Sequence, residues 1–205
     1  MTAPMHHIAD ATVEQLPAAA AIIGGAFANL DIASWLMPGE PPTTRADILT
    51  RQLGLIVNHA FLHGRVQIEQ QLAGVAVWLP GGHGHHIPDI DGYQQLRDRI
   101  SGVHRDRFAQ LDNLMAASYP TAEHWHLALL AVVPSRHRDG IGTTLVKAGH
   151  YFTAGASTFL QASSRASRDL YLRHGYHDIY HPLLPDATTP HIAMYPMWRQ
   201  STGGE

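Results

Sequence analysis

A mixed α/β fold is what this sequence predicts, and three features predict it. Short runs that alternate polar and apolar residues are interleaved with stretches whose apolar residues recur every three or four positions. One long apolar run, Trp125 to Val133, feeds directly into a glycine turn and another helical stretch. The 205 residues are 45% hydrophobic, enough for one sizeable core and one domain.

The elements follow in order. Leu16, Ala20, Ile23 and Phe27 share one face of a helix over about 14–29. An irregular stretch ends at Pro38, Pro41 and Pro42. Thr43 or Thr44 then caps a second helix, with Ile48, Leu49, Leu53, Ile56, Val57 and Phe61 on its buried side and Gly64 closing it. Val66 and Ile68, then Val75, Val77 and Leu79, mark two adjacent antiparallel strands joined by a tight turn. Residues 80–88 form a loop rich in glycine and histidine. Helical spacing returns over 91–119 through Tyr93, Leu96, Ile100, Phe108, Leu111 and Met115, with an interruption expected at Gly102. After the strand 125–133 come a helix over 140–153, a strand over 157–161, a helix over 167–174 stopped by Gly175, and a strand over 176–180. The last strand, 192–198, contains Pro196 and is expected at a sheet edge or a bulge.

Composition excludes several classes. Fourteen Lys and Arg against 17 Asp and Glu leave a formal charge of −3, with no basic run, so phosphate-driven nucleic-acid binding is not expected. No cysteine is present, which removes disulfides, thiolate nucleophiles and Cys-ligated metals. No apolar run approaches the ~20 residues of a membrane span. The apolar segment 17–27 lacks the basic flank of a secretory signal. A cytoplasmic protein is therefore expected. The 16 histidines exceed Lys and Arg combined, so charge-dependent behaviour is expected to shift between pH 7 and pH 6.

The segment from Val132 to Leu145 is the most informative. A strand enters a polar loop, then Gly140-Ile141-Gly142, then a helix. Unpaired N–H groups at the helix start form an anion site, and glycines let a phosphate approach the backbone. Thr143 adds a hydroxyl, and Arg136 and Arg138 add charge. Leu145 stands where a dinucleotide fingerprint needs its third glycine, and there is no Gly-Lys-Ser/Thr triplet of a P-loop.

This order of strand, Val-x-Pro, basic loop, Gly-Ile-Gly and helix, followed by Leu170-Tyr171-Leu172-Arg173-His174-Gly175-Tyr176, resembles the GNAT superfamily of N-acetyltransferases. The family's Gln/Arg-x-x-Gly-x-Gly/Ala motif falls on His137-Arg138-Asp139-Gly140-Ile141-Gly142, with His137 departing from the first position. The likeness is strongest from Trp125 to Tyr180. Ala26-Phe27-Ala28, Gly74 to Trp78 and Phe159 to Ser163 look most like the puromycin N-acetyltransferase group; puromycin as substrate is not carried over.

The resemblance implies one domain over 1–205 with an acetyl-CoA-binding core at about 123–180. It implies a mixed, mostly antiparallel, twisted sheet of about six to seven strands with helices on both faces. The cosubstrate implied is acetyl-CoA. Leu130, Ala131, Val132 and Val133 would offer backbone to its pantetheine arm, and the loop from His137 through Thr143 would hold its pyrophosphate. A metal is not expected, although His83, His85 and His86 form a cluster whose role as a lid or recognition loop is the favoured one. The acceptor implied is a small-molecule amine, with a peptide or protein amine as the alternative, and a non-catalytic acyl-CoA-binding module as the alternative to an enzyme. A monomer or homodimer is expected, with no nucleic-acid or membrane partner.

Tyr171 occupies the family position for the general acid. The base is open. Ala128 stands where many relatives carry a carboxylate, and His126, at a second family position, shares a strand face with His124 and Ala128. Glu123, or solvent alone, are the other routes for the proton. Asp31, Glu40, Asp89 and Asp91 are candidates to hold a cationic amine. Trp35, Trp78, Tyr93 and Phe108 are expected in the core or the pocket wall.

Overall fold

The computed structural model describes residues 6–82 and 90–201. Strands β1 (Ile8–Asp10), β2 (Arg65–Glu69), β3 (Gly74–Gly81), β4 (His124–Val132), β5 (Thr158–Ala162), β6 (His177–Asp178) and β7 (Tyr195–Arg199) form one sheet in the order β1-β2-β3-β4-β5-β7-β6. Every pairing is antiparallel except β4 with β5. Helices are α1 (Leu16–Phe27), α2 (Asp31–Leu36), α3 (Pro42–His63), α4 (Tyr93–Ser101), α5 (Arg105–Ala116), α6 (Ile141–Phe152) and α7 (Arg165–Leu172). The mixed, mostly antiparallel sheet with helices on both faces is therefore as expected.

Period-two alternation along β3 decides which helix covers which face. Val75, Val77 and Leu79 pack with Ile23 of α1 and Ile56, Val57 and Ala60 of α3. Ala76 and Trp78 point the other way, onto Ile141, Leu145 and Val146 of α6 and Tyr171 of α7. A further layer forms where α2, α3 and α5 meet around Trp35, Leu36, Leu49 and Phe108.

Several expectations are corrected. The irregular stretch after the first helix contains α2, whose Ile32, Ala33, Trp35 and Leu36 are buried. Phe61 is exposed, and the buried stripe of α3 instead includes Gln52. The helical region after residue 90 is two helices, broken at Gly102, which has φ +56° and begins a 3-10 turn.

The last strand is not at an edge, since β7 lies between β5 and β6. Pro196 is accommodated because its carbonyl, which accepts from the Ile179 amide at 3.1 Å, faces the β6 side. The missing N–H is on that side too, and the β6 ladder holds only the pairs His177–Trp198 and Asp178–Met197. The edges of the sheet are β1 and β6.

Candidate active site

β4 and β5 are in register only at Trp125–Thr158 and His126–Phe159. Beyond His126 the two strands part, while β3 stays paired with β4 as far as Gly74–Val132. A register shift opposite Val77 and Trp78 leaves Ala128 as the extra residue of a bulge. A bulge changes the phase of a strand and re-aims its backbone. His126 and Ala128 still line one cavity, as alternation expects, and the phase changes only beyond Ala128, where Leu129 joins it on the α1/α3 face.

Past it, the Val133 amide donates to Ala73 at 2.9 Å, and Ala131 stands opposite Val75 in the same ladder. Alternation then turns the peptide groups of Leu130 and Val132 toward the cleft where β5 has left. Of the four residues expected to offer backbone to an extended ligand, these two are placed to do so.

The cleft ends at the start of α6. Gly140 is the N-cap with φ +89°, and no side chain caps the helix. The first helical bond is from the Thr144 amide to the Gly140 carbonyl, so the amides of Ile141, Gly142 and Thr143 precede the helical ladder. The Thr144 hydroxyl also bonds to the Gly140 carbonyl, at 3.1 Å. Gly140 is required by its left-handed conformation. At Gly142 an added Cβ would meet Leu170 at 3.5 Å, ordinary contact, which explains why alanine would fit there.

The loop before α6 is tied down from within. His137 turns back and its Nε2 donates to the Val132 carbonyl at 3.0 Å. Arg136 pairs with Asp139 at 2.6 Å and reaches the Gln71 side chain at 3.2 Å. The Asp139 carbonyl accepts from His6 at 2.7 Å. Arg138 is exposed and has φ +70°, unusual for a side-chain-bearing residue. Arg136 thus spends part of its charge on Asp139, while Arg138 presents its own at the surface.

Where the strands part lies a cavity of about 230 Å³, bordered by α1, α2, α3 and α5 on one side and by α7 on the other. Both His126 and Tyr171 line it, although they are far apart in sequence. Tyr171 is 6% exposed and its ring meets Tyr176 edge-on at 5.6 Å. Burial, reinforced by Tyr176, pushes its phenol above the ordinary tyrosine range. His126 is buried against Phe159, with its Nδ1 3.2 Å from the Tyr119 hydroxyl. Burial, with a smaller effect of His124, pushes His126 down to about 3, so its imidazole is neutral at pH 7.

The cavity also holds groups beyond those expected from the sequence. Asp112 on α5 lines it, paired with Arg97 at 2.8 Å. Burial raises the Asp112 carboxyl, and Arg97 only partly offsets this. Gln52 on α3 lines it as well, 4% exposed, and neither its Oε1 nor its Nε2 has a hydrogen-bond partner in the protein. Its amide sits near enough to the Tyr93 phenol to moderate the upward push of burial there, without a hydrogen bond of ordinary length. A buried amide left so costs about 1–3 kcal/mol.

Gln52 and Asp112 each carry a signal in hindsight. They are polar residues on otherwise apolar faces, Gln52 among Ile48, Leu49 and Ile56, Asp112 beside Phe108 and Met115.

Other candidates are placed elsewhere. Among the described residues, Asp31 and Asp91 are exposed and do not line the cavity, and Glu40 binds His104 at 3.1 Å. Glu123 precedes β4 and does not line it either. Trp78 is fully buried in the core, and Tyr93 and Phe108 form pocket wall. Asp89 and the histidines 83, 85 and 86 lie outside the described residues. Among those described, no group of three His, Asp or Glu is placed to hold a metal, and no helix is long and apolar enough to cross a membrane.

No family model and no curated protein matches the chain by sequence. Solved structures do match over nearly the whole length. A histone acetyltransferase and related acetyltransferase from Corynebacterium glutamicum aligns with a TM-score of 0.67 at 21% identity, covering 97% of this chain and 98% of that one. Arylalkylamine N-acetyltransferase 2 from Aedes aegypti gives 0.63 at 12% identity, over 96% and 99%. A Drosophila melanogaster polyamine N-acetyltransferase that forms N-acetylagmatine gives 0.58 at 14%, over 96% and 100%. The parted strands, the glycine turn and the helix that follows it are therefore set in the fold of the GNAT acetyltransferases.

Proposed function

We propose that this chain is an acetyl-CoA-dependent N-acetyltransferase that acetylates the primary amine of a small molecule by direct attack in a ternary complex. The observation that carries the reading is the divergence of β4 from β5, which leads from the open amides of α6 to a cavity lined by both Tyr171 and His126. The neighbours that acetylate arylalkylamines and form N-acetylagmatine support a small amine as acceptor. The blocks at Ala26 to Ala28, Gly74 to Trp78 and Phe159 to Ser163 support a place nearest the puromycin N-acetyltransferase group.

In this reading the pyrophosphate lies on the amides of Ile141, Gly142 and Thr143, with Gly140 supplying the turn, His137 and Asp139 holding the loop's shape and Arg138 adding charge. Pantetheine runs along β4 from Val133 toward Leu130, pairing as an added strand with the Val132 amide, whose carbonyl is held by His137, and with the peptide groups of Leu130. Ala131 and Val133 keep that strand straight through their bonds to β3.

The neutral amine attacks the thioester carbonyl carbon. The oxygen, now bearing negative charge, takes a hydrogen bond from a β4 amide. Collapse breaks the C–S bond, and Tyr171 gives its proton to the leaving sulfur. The ammonium proton leaves through water. His126, with Tyr119 behind it, orders that water as a neutral hydrogen-bonding partner.

The test is release of CoA thiol from acetyl-CoA by the untagged protein across small amines and short peptides, with product masses checked. Thiol release with an acetylated small amine is the expected result. Acetylated peptides alone would move the acceptor to protein amines. Acetyl-CoA binding without release would leave an acyl-CoA-binding module. No binding would overturn the assignment.

A further inference from the structure

Within the reading just given, we propose that the acceptor is a small monoamine with an apolar body and one uncharged hydrogen-bonding head, a hydroxyl or a carboxamide, which Gln52 recognises. Three observations converge on that class. The first is size: at about 230 Å³ the cavity falls below the roughly 300–1,000 Å³ of sites for drug-sized ligands. The second is its wall, dominated by side chains such as Phe27, Leu36, Leu53, Phe108, Leu111 and Met194. An apolar wall selects an apolar body.

The third is where its polar groups stand. Among the described lining residues Asp112 is the carboxylate, and Arg97 already neutralises it. A diamine or guanidinoamine would therefore bury a second cation with no charge to meet it, which binding sites avoid. Gln52, by contrast, is more than nine-tenths buried, faces the cavity from α3, and lacks partners for both its acceptor and its donors. An uncharged group that both donates and accepts completes it. A site built around such a bond rejects the analogue lacking it, because the protein's own polar group is then stranded.

The experiment compares 4-(2-aminoethyl)phenol, 2-phenylethylamine and agmatine with the full chain. Calorimetric binding is measured in the presence of CoA, and kcat/KM with acetyl-CoA. The phenol is expected to exceed each of the other two by at least about tenfold in both measurements. Gln52→Leu, with Gln52→Met as a second variant of closely matched shape, should shrink the preference for the phenol over 2-phenylethylamine to about twofold. The affinity for acetyl-CoA should stay unchanged. Equal affinities for the phenol and 2-phenylethylamine in the parent protein would overturn the role of Gln52, as would a preference that survives its replacement; such a result would fit an amide satisfied by trapped water. Stronger binding of agmatine would overturn the monoamine class. Each of these leaves the acetyltransferase reading intact. If none of the three amines releases thiol, the binding comparison still decides the inference, while the broader acceptor panel decides the activity.

Discussion

Burial at Tyr171 has two effects that act together. It raises the phenol's pKa, so the residue holds its proton across the whole working range of pH. In the proposed reaction the same apolar surroundings would desolvate the departing thiolate, raising it from the ordinary thiol value of about 8.5 and making it a better proton acceptor. Donor and acceptor thus rise together, and the transfer remains feasible. Tyr171→Phe is expected to lower kcat by about 10²-fold, within the usual range for a positioned acid, and to leave the acetyl-CoA Kd within about twofold. Steady-state kinetics and a binding titration check this; undiminished kcat would remove Tyr171 from the proton path. Tyr171 was legible in the sequence because it sits in a seven-residue block ending at Tyr176. Gln52 and Asp112 were not, because a polar residue in an apolar helical stripe looks like an interruption until a cavity is found beneath it. The contact between Tyr119 and His126 depends on where the end of α5 meets β4, which no local periodicity encodes.

At the scale of elements, legibility follows length. α3, α6, β3 and β4 have enough residues for their periods to show, and their expected bounds agree with the structure within a few positions. β1 and β6, of three and two residues, are too short to show a period, and β1 exists because Ile8, Ala9 and Asp10 pair across to β2. The bulge at Ala128 leaves no mark either, since it changes partners and not composition. Close packing of α6 on the sheet supplies the prediction at this scale. A Cβ at Gly149 would drive into the ring of Trp78, which is fully buried and has nowhere to move. Gly149→Ala is expected to destabilise by about 1–3 kcal/mol through overpacking, despite the gain of nearly 1 kcal/mol in helix propensity. Gly25→Ala on α1 is the control, because its Cβ meets nothing within 4 Å and only the propensity gain remains. Urea unfolding of both variants decides the matter. If both are stabilised alike, α6 does not rest on Trp78 as described.

For the whole molecule, the histidine content is a statement about pH, but the fold changes its form. With 16 histidines against a formal charge of −3, composition alone predicts a broad rise in charge below pH 7. Burial holds back part of that rise: His126 is pushed down to about 3 and His150 to about 4, and His124 and His174 are also lowered, each chiefly by desolvation. His126 and His150 stay neutral in the folded chain where the unfolded chain would take up protons near 6.5, and His124 and His174 take theirs up later than in the unfolded chain. The unfolded state then binds more protons, so stability rises with pH through this window. The contribution is complete above about pH 6.5 and drains away as pH falls toward each folded value. Asp112, raised by burial, acts in the opposite sense. For His126 the loss is about 2 kcal/mol by pH 5. Thermal or urea unfolding from pH 7.5 to pH 5 should therefore show a marked decline. His126→Gln, whatever its stability at pH 7.5, should decline less steeply, by the equivalent of one proton. An identical slope in the variant would show that His126 titrates alike in the folded and unfolded chain, and would remove it from the neutral role proposed for it.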